Sequence, residues 1–121
     1  MLSFEEAREA LGEIADSLPR EIYASLNGGV ILLPRSKRHP KGRGIYILGE
    51  YHHEPVGFGR YITLYYGSFR RVFGDDIPDG KLIAELGATL RHELIHHIES
   101  LAGDVTLELK DEYDMEGYLR E

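Results

Sequence analysis

Two histidines, His92 and His96, stand four residues apart with a carboxylate between them, in the run His92-Glu93-Leu94-Ile95-His96. On an α-helix this spacing projects the imidazoles about 40° apart on one face, so a single divalent ion can accept a nitrogen from each. Glu93 lies about 100° round from His92. There it can reach a metal-bound water without occupying the metal. H-E-x-x-H is the arrangement in which a zinc helix supplies two ligands and a general base. Chance alone would place it in roughly a few per cent of chains of this composition. Its position well inside a long amphipathic pattern makes it informative.

A catalytic zinc site takes about three protein ligands plus water. The chain has no cysteine, so disulfides, thiolate ligands and thiol nucleophiles are excluded and any third ligand is a histidine or a carboxylate. Glu99 shares the metal face but lies about 10 Å along the axis from His92; it suits support of His96 better than ligation beside both. Asp104, just past Gly103, can fold back. Asp111 and Glu112 follow the segment 105–109, and Asp111 equally suits a plain helix N-cap. Spacing does not choose among them. His97 falls inside the apolar stripe, close in angle to Leu90, Leu94 and Leu101, and reads as a core histidine held by a hydrogen bond. His39, His52 and His53 fall in predicted loops and read as solvated.

The elements that position this run can be read outward from it. Pro78 opens the longest helical pattern, which runs to about Ala102 and closes at Gly103, a residue suited to a left-handed cap. Ile83, Leu86, Leu90, Leu94 and Leu101 form its core stripe, with Glu85, Thr89, His92, His96 and Glu99 on the opposite side. Val105, Leu107 and Leu109 alternate with polar residues as in a short strand, and Asp111 begins a last helix. At the other end, Ser3 and Glu6 read as a capping box opening a helix through Phe4, Ala7, Leu11, Ile14 and Leu18. A short helix through Ile22, Tyr23 and Leu26 ends at Asn27-Gly28-Gly29. Val30–Leu33, Ile45–Leu48 and Tyr61–Tyr66 read as strands, and Ser68–Phe73 as a helical turn. Residues 34–44 form a loop rich in Pro, Gly and basic residues; it either captures an acidic partner or is simply solvated, as charge runs usually are.

The remaining composition bounds the class. A length of 121 residues and an apolar fraction of 42% fit one α+β domain spanning 1–121. A net charge of −7 argues against general nucleic-acid binding, which needs a basic surface. The amino terminus is charged and amphipathic, unlike a signal peptide, and no apolar run approaches the ~20 residues of a membrane span. A soluble, cytoplasmic protein with no membrane partner is the expectation.

The segment 89–113, TLRHELIHHIESLAGDVTLELKDEY, resembles the small bacterial zinc-metallopeptidase-like proteins described as minimal zincins. The amphipathic start ending in Leu-Pro and the central strand ITLY at 62–65 are in keeping; only the HExxHH segment is specific. The resemblance implies a small mixed sheet packed against the long metal helix, with N- and C-terminal helices, and a Zn²⁺-dependent hydrolase acting on a peptide or protein. Many members continue HExxH with x-x-G-x-x-D, the Asp being the third ligand. Here Glu99 replaces that Gly and Ala102 that Asp. An insertion from about Ser100 to Lys110 postpones the acidic dipeptide, so the resemblance implies that Asp111 inherits the ligand role.

On these terms His92, His96 and Asp111 hold Zn²⁺, which lowers the pKa of its water towards ~7, and Glu93 takes the water's proton and passes it to the leaving amine. Tyr113 and Tyr46 are candidates for stabilising the oxyanion, and the Tyr61–Tyr66 strand either offers an edge to the substrate or lies in the sheet interior. Two rivals stand beside this reading: a zinc-stabilised binding module without turnover, and a metal-free structural domain. Oligomeric state is not read from the sequence.

Overall fold

The Ser3 hydroxyl accepts from the Glu6 N–H (3.1 Å) and the Glu6 carboxylate accepts from the Ser3 N–H (2.9 Å), so the capping box forms as its residues predict. The helix it opens, α1 (Phe4–Ser17), buries Ala7 and Leu11. The computed structural model describes the backbone of residues 1–113 and the side chains of residues 1–103. After α1 comes a 3₁₀ turn, Arg20–Tyr23, shorter than the helix expected through Leu26.

Three strands follow, β1 (Gly29–Leu33), β2 (Gly49–His53) and β3 (Arg60–Tyr65), in the sheet order β1-β3-β2. β1 runs parallel to β3 and β2 antiparallel to it, which gives the mixed sheet expected of an α+β domain. β3 carries the strongest β-formers and takes the centre, so of the two placements open to Tyr61–Tyr66, a substrate edge or an interior strand, it has the interior one, and β1 and β2 are the edge strands. The second strand also falls later than the apolar run Ile45–Leu48. Residues 45–47 pair back on 37–39 through the Arg38–Tyr46 bridge, with His39 N–H donating to Ile45 O and Ile47 N–H to Lys37 O, both at 2.8 Å. His52 and His53 therefore lie in a strand, not in a loop.

α2 (Tyr66–Phe73) leaves β3 directly and buries Tyr66, Ser68 and Phe69. α3 (Asp79–Tyr113) is one helix of 35 residues. The predicted close at Gly103, the strand at 105–109 and the separate helix from Asp111 are thus replaced by a single continuous element. Leu101, Val105 and Leu109 also recur every four residues, a helical spacing, and an interior glycine costs only about 1 kcal/mol relative to Ala.

The core lies between α3, α1 and one face of the sheet. Leu82, Leu86, Leu90 and Leu94 of α3 are fully buried with Ile62 and Leu64 of β3, Ala7 of α1 and Phe69 of α2. Each such leucine is worth about 1.5–3 kcal/mol of burial. Ile83, placed in the core stripe from the sequence, is exposed, and Leu82 takes its place. Among the described residues no helix is long and apolar enough to cross a membrane.

Candidate metal centre

Packing fixes how α3 is rotated, and that rotation aims His92 and His96. His97 is fully buried. Its Nε2 lies 2.8 Å from the Ala24 carbonyl, which can only accept, so Nε2 carries the proton and Nδ1 accepts from the Tyr51 hydroxyl at 2.8 Å. That hydroxyl in turn accepts from Arg60 Nη1 at 2.8 Å, and Arg60 also donates to Ser100 of α3. His97 is therefore the hydrogen-bonded core histidine that its place in the stripe predicts. It ties α3 to β2 and to the segment after the 3₁₀ turn. With His97 and Leu94 inward, His92 and His96 face outward and are exposed.

Those two imidazoles converge. Their Nε2 atoms are 3.2 Å apart, with the rings edge to face at 87°. Two nitrogens on one tetrahedral zinc, at bonds of 2.0–2.1 Å, stand about 3.3 Å apart, so the pair fits a shared ion. Glu99 Oε1 lies 3.2 Å from His96 Nδ1. A carboxylate there holds the proton on Nδ1 and leaves the Nε2 lone pair for a metal. Glu99 thus occupies the supporting position that its spacing suggested.

Glu93 lies on the flank of the helix that meets β2, and it is buried to 7% exposure. This approach requires a glycine: a Cβ on Gly49 would meet Thr89 Cγ2 at 2.8 Å and Glu93 Cγ at 3.4 Å. Burial lifts the Glu93 carboxyl above its ordinary value; the positive fields of His96 and His92 oppose the rise, the charge of Glu50 adds to it, and the Tyr51 backbone N–H favours the carboxylate. A carboxylate raised in this way is the better proton acceptor.

α3, β2 and the hairpin of residues 37–47 border a wide, open cleft of about 760 Å³ lined by Glu93, His96, Glu99, Ser100, Gly49 and Glu50, with His39 and Ile47 from the hairpin. A neighbouring hollow continues past Tyr46, Thr89 and His92. Burial would raise the Glu50 carboxyl, but hydrogen bonds from Lys37 and Tyr65 outweigh it and hold the group below its ordinary value. His39 and Glu50 enter the cleft although their sequence context does not single them out. For Glu50 the signal that could have found it is the alternation across 49–53, with Tyr51 turned to the core and Glu50 and His52 away from it.

Among the described residues no third ligand joins the pair: there is no group of three or more His, Cys, Asp or Glu side chains able to hold a metal. Asp111, the residue implied by the family pattern, lies on the continuous α3, fifteen residues beyond His96 and so about 22 Å along the axis. Its side chain, like those of Asp104, Glu112 and Tyr113, is outside the described residues. The helix carries Asp111 away from the imidazoles instead of folding it back, because the turn expected at Gly103 is not made. Tyr113, farther along the same helix, is carried away too, whereas Tyr46 lines the hollow beside His92.

No protein-family model and no curated protein matches the chain. Among solved structures, a conserved hypothetical protein from Thermus thermophilus is 36% identical to it, with a TM-score of 0.73 and coverage of 84% of this chain and 99% of that one. At that identity, over nearly the whole length of the other protein, this chain belongs to the same family as the conserved hypothetical protein of Thermus thermophilus.

Proposed function

We propose that the chain is a zinc-dependent peptidase with a minimal zincin-like fold, in which His92 and His96 hold the ion and Glu93 is the general base. The observation that carries this is the convergence of the two Nε2 atoms to 3.2 Å on a helix rotated into place by a buried neighbour. The donor set fits zinc in type and in bite, with Glu99 oriented behind His96. The described side chains supply the two imidazoles and the Glu99 carboxylate behind His96.

Zinc supplies an acidified water and a polarised carbonyl when bound. The chain's own residues do the remaining work. Glu93, largely withdrawn from solvent and fixed by the Tyr51 N–H, receives a proton in the cleft and can return it to the departing amine. The β2 edge runs along the same cleft and can place a peptide backbone beside Glu93.

Zinc-loaded Glu93→Gln protein should retain the metal and lose peptide hydrolysis. Equal cleavage by both forms would remove Glu93 from the mechanism. One alternative is a zinc-stabilised binding module without turnover, favoured by the little room that a domain of 121 residues leaves for a long substrate cleft. That reading gains if the zinc-loaded wild type cleaves nothing in a peptide library.

A further inference from the structure

The hairpin of residues 37–47 walls one side of the cleft, and its composition is unlike that of the remaining chain. Residues 34–47 hold five of the fourteen Lys and Arg residues and none of the twenty-one Asp and Glu. As a sequence this is a charge run, solvated by default. Its placement gives it another status. The Lys37 N–H donates to Ser68 Oγ at 2.9 Å, and the Lys37 ammonium pairs with Glu50 at 2.6 Å. The Arg71 guanidinium lies 5.9 Å from the Tyr46 ring centroid. The hairpin is therefore fastened to β2 and α2, and it presents His39 and Ile47 to the cleft that Glu93 also lines.

Arg35, before the hairpin, lies 5.5 Å from the Tyr65 ring centroid, and the four charges of the hairpin divide into two sets. Lys37 is neutralised by Glu50. Arg38, Lys41 and Arg43 are exposed and form no ion pair with any described residue. The lining of the cleft also includes Glu99 and His53. A ligand in the cleft thus has the hairpin that carries these three cations along one wall and Glu99 of α3 in another part of the lining. Such a field selects by charge and by orientation: like charge placed against either is disfavoured, and opposite charge speeds and aligns encounter.

We propose that the cleft selects peptides carrying acidic side chains on one side of the point of attack, the side that meets Arg38, Lys41 and Arg43. The substrate class rests on the peptidase reading above; the charge preference is tested by binding, which needs no turnover.

Zinc-loaded Glu93→Gln protein is titrated with fluorescein-labelled peptides of equal length, one with a glutamate-rich half, one with a lysine-rich half and one neutral. Fluorescence anisotropy should show the glutamate peptide binding about tenfold tighter than the neutral one at low salt, with most of that advantage lost at high salt. Neutralising the rim by Arg38→Gln, Lys41→Gln and Arg43→Gln should remove the preference, and charge reversal to Glu at the same positions should invert the order of the glutamate and lysine peptides. Equal binding by all three peptides, or a preference that survives reversal, overturns the inference. Hydrolysis of the same peptides by the zinc-loaded wild type separates the two proposals. Cleavage without acid preference overturns only the inference. Acid-selective binding without cleavage upholds the charge preference and counts against the peptidase.

Discussion

Replacing Tyr51 with Phe removes one oxygen from the middle of a buried chain of hydrogen bonds and keeps the ring. In the native protein that oxygen accepts from Arg60 Nη1 and donates to His97 Nδ1, both at 2.8 Å, while His97 Nε2 donates to the Ala24 carbonyl at 2.8 Å. His97 has no exposed surface, so in the variant its Nδ1 is left without a donor and out of reach of bulk water. An unsatisfied buried polar atom costs about 1–3 kcal/mol. Arg60 keeps its contact with Ser100, which limits the further loss on its side. The expected destabilisation is about 2 kcal/mol. For a chain of this size 1 kcal/mol moves Tm by roughly 3–5 °C, so the midpoint should fall by roughly 6–10 °C. Urea unfolding of the metal-free protein, followed by circular dichroism, measures the change, and an unaltered m-value would show that the unfolded state is not its source. A loss below about 0.5 kcal/mol, within the range of an ordinary surface substitution, would refute the orientation of His97 through Tyr51.

Four further outcomes rest on the same geometry. Gly49→Ala forces a methyl group against Thr89 Cγ2; it should cost about 1–3 kcal/mol in urea unfolding and lower any hydrolysis that depends on Glu93, and wild-type stability would show that β2 and α3 do not meet as described. The Glu93 carboxyl is raised, chiefly by burial, so the folded state binds its proton more tightly than the unfolded one and the ionised form destabilises the fold above that raised value. Metal-free Glu93→Gln should therefore be more stable than wild type at neutral pH, with the gap closing as pH falls through the raised pKa to the ordinary glutamate value; a gap independent of pH would contradict this. Glu99→Gln should weaken zinc affinity by about 10–100-fold through His96. Asp111→Ala, on a helix that carries it away, should leave affinity within about twofold by calorimetric titration; the reverse ranking would mean that α3 breaks and returns.

The parts of the molecule legible in the sequence are those governed by local geometry. The capping box at Ser3 and Glu6 is satisfied within one helical turn, and β1 and β3 are apolar enough to have no other place than the sheet. The His92 and His96 pair can be read because four residues on a helix fix the spacing whatever surrounds it. β2 escapes a local reading because Gly49-Glu50-Tyr51-His52-His53 is an edge strand, polar on one face, and its glycine answers to α3, a partner distant in the chain. The end of α3 is ambiguous in the sequence because Val105, Leu107 and Leu109 satisfy a period of two while Leu101, Val105 and Leu109 satisfy a period of four. A turn at Gly103 would bring Asp111 back towards the imidazoles, whereas the backbone runs on as helix to Tyr113. The basic loop gains meaning once its pairing with residues 45–47 brings it to the cleft wall.

Zinc content after purification without added metal, measured by mass spectrometry on the wild type and on His92→Ala and His96→Ala separately, bears most directly on the shared ion. About one zinc per wild-type chain and near none in either variant is the predicted result, since a site with so few protein ligands cannot lose one. A metal-free wild type, or zinc kept at full occupancy by both variants, would contradict the account at its base.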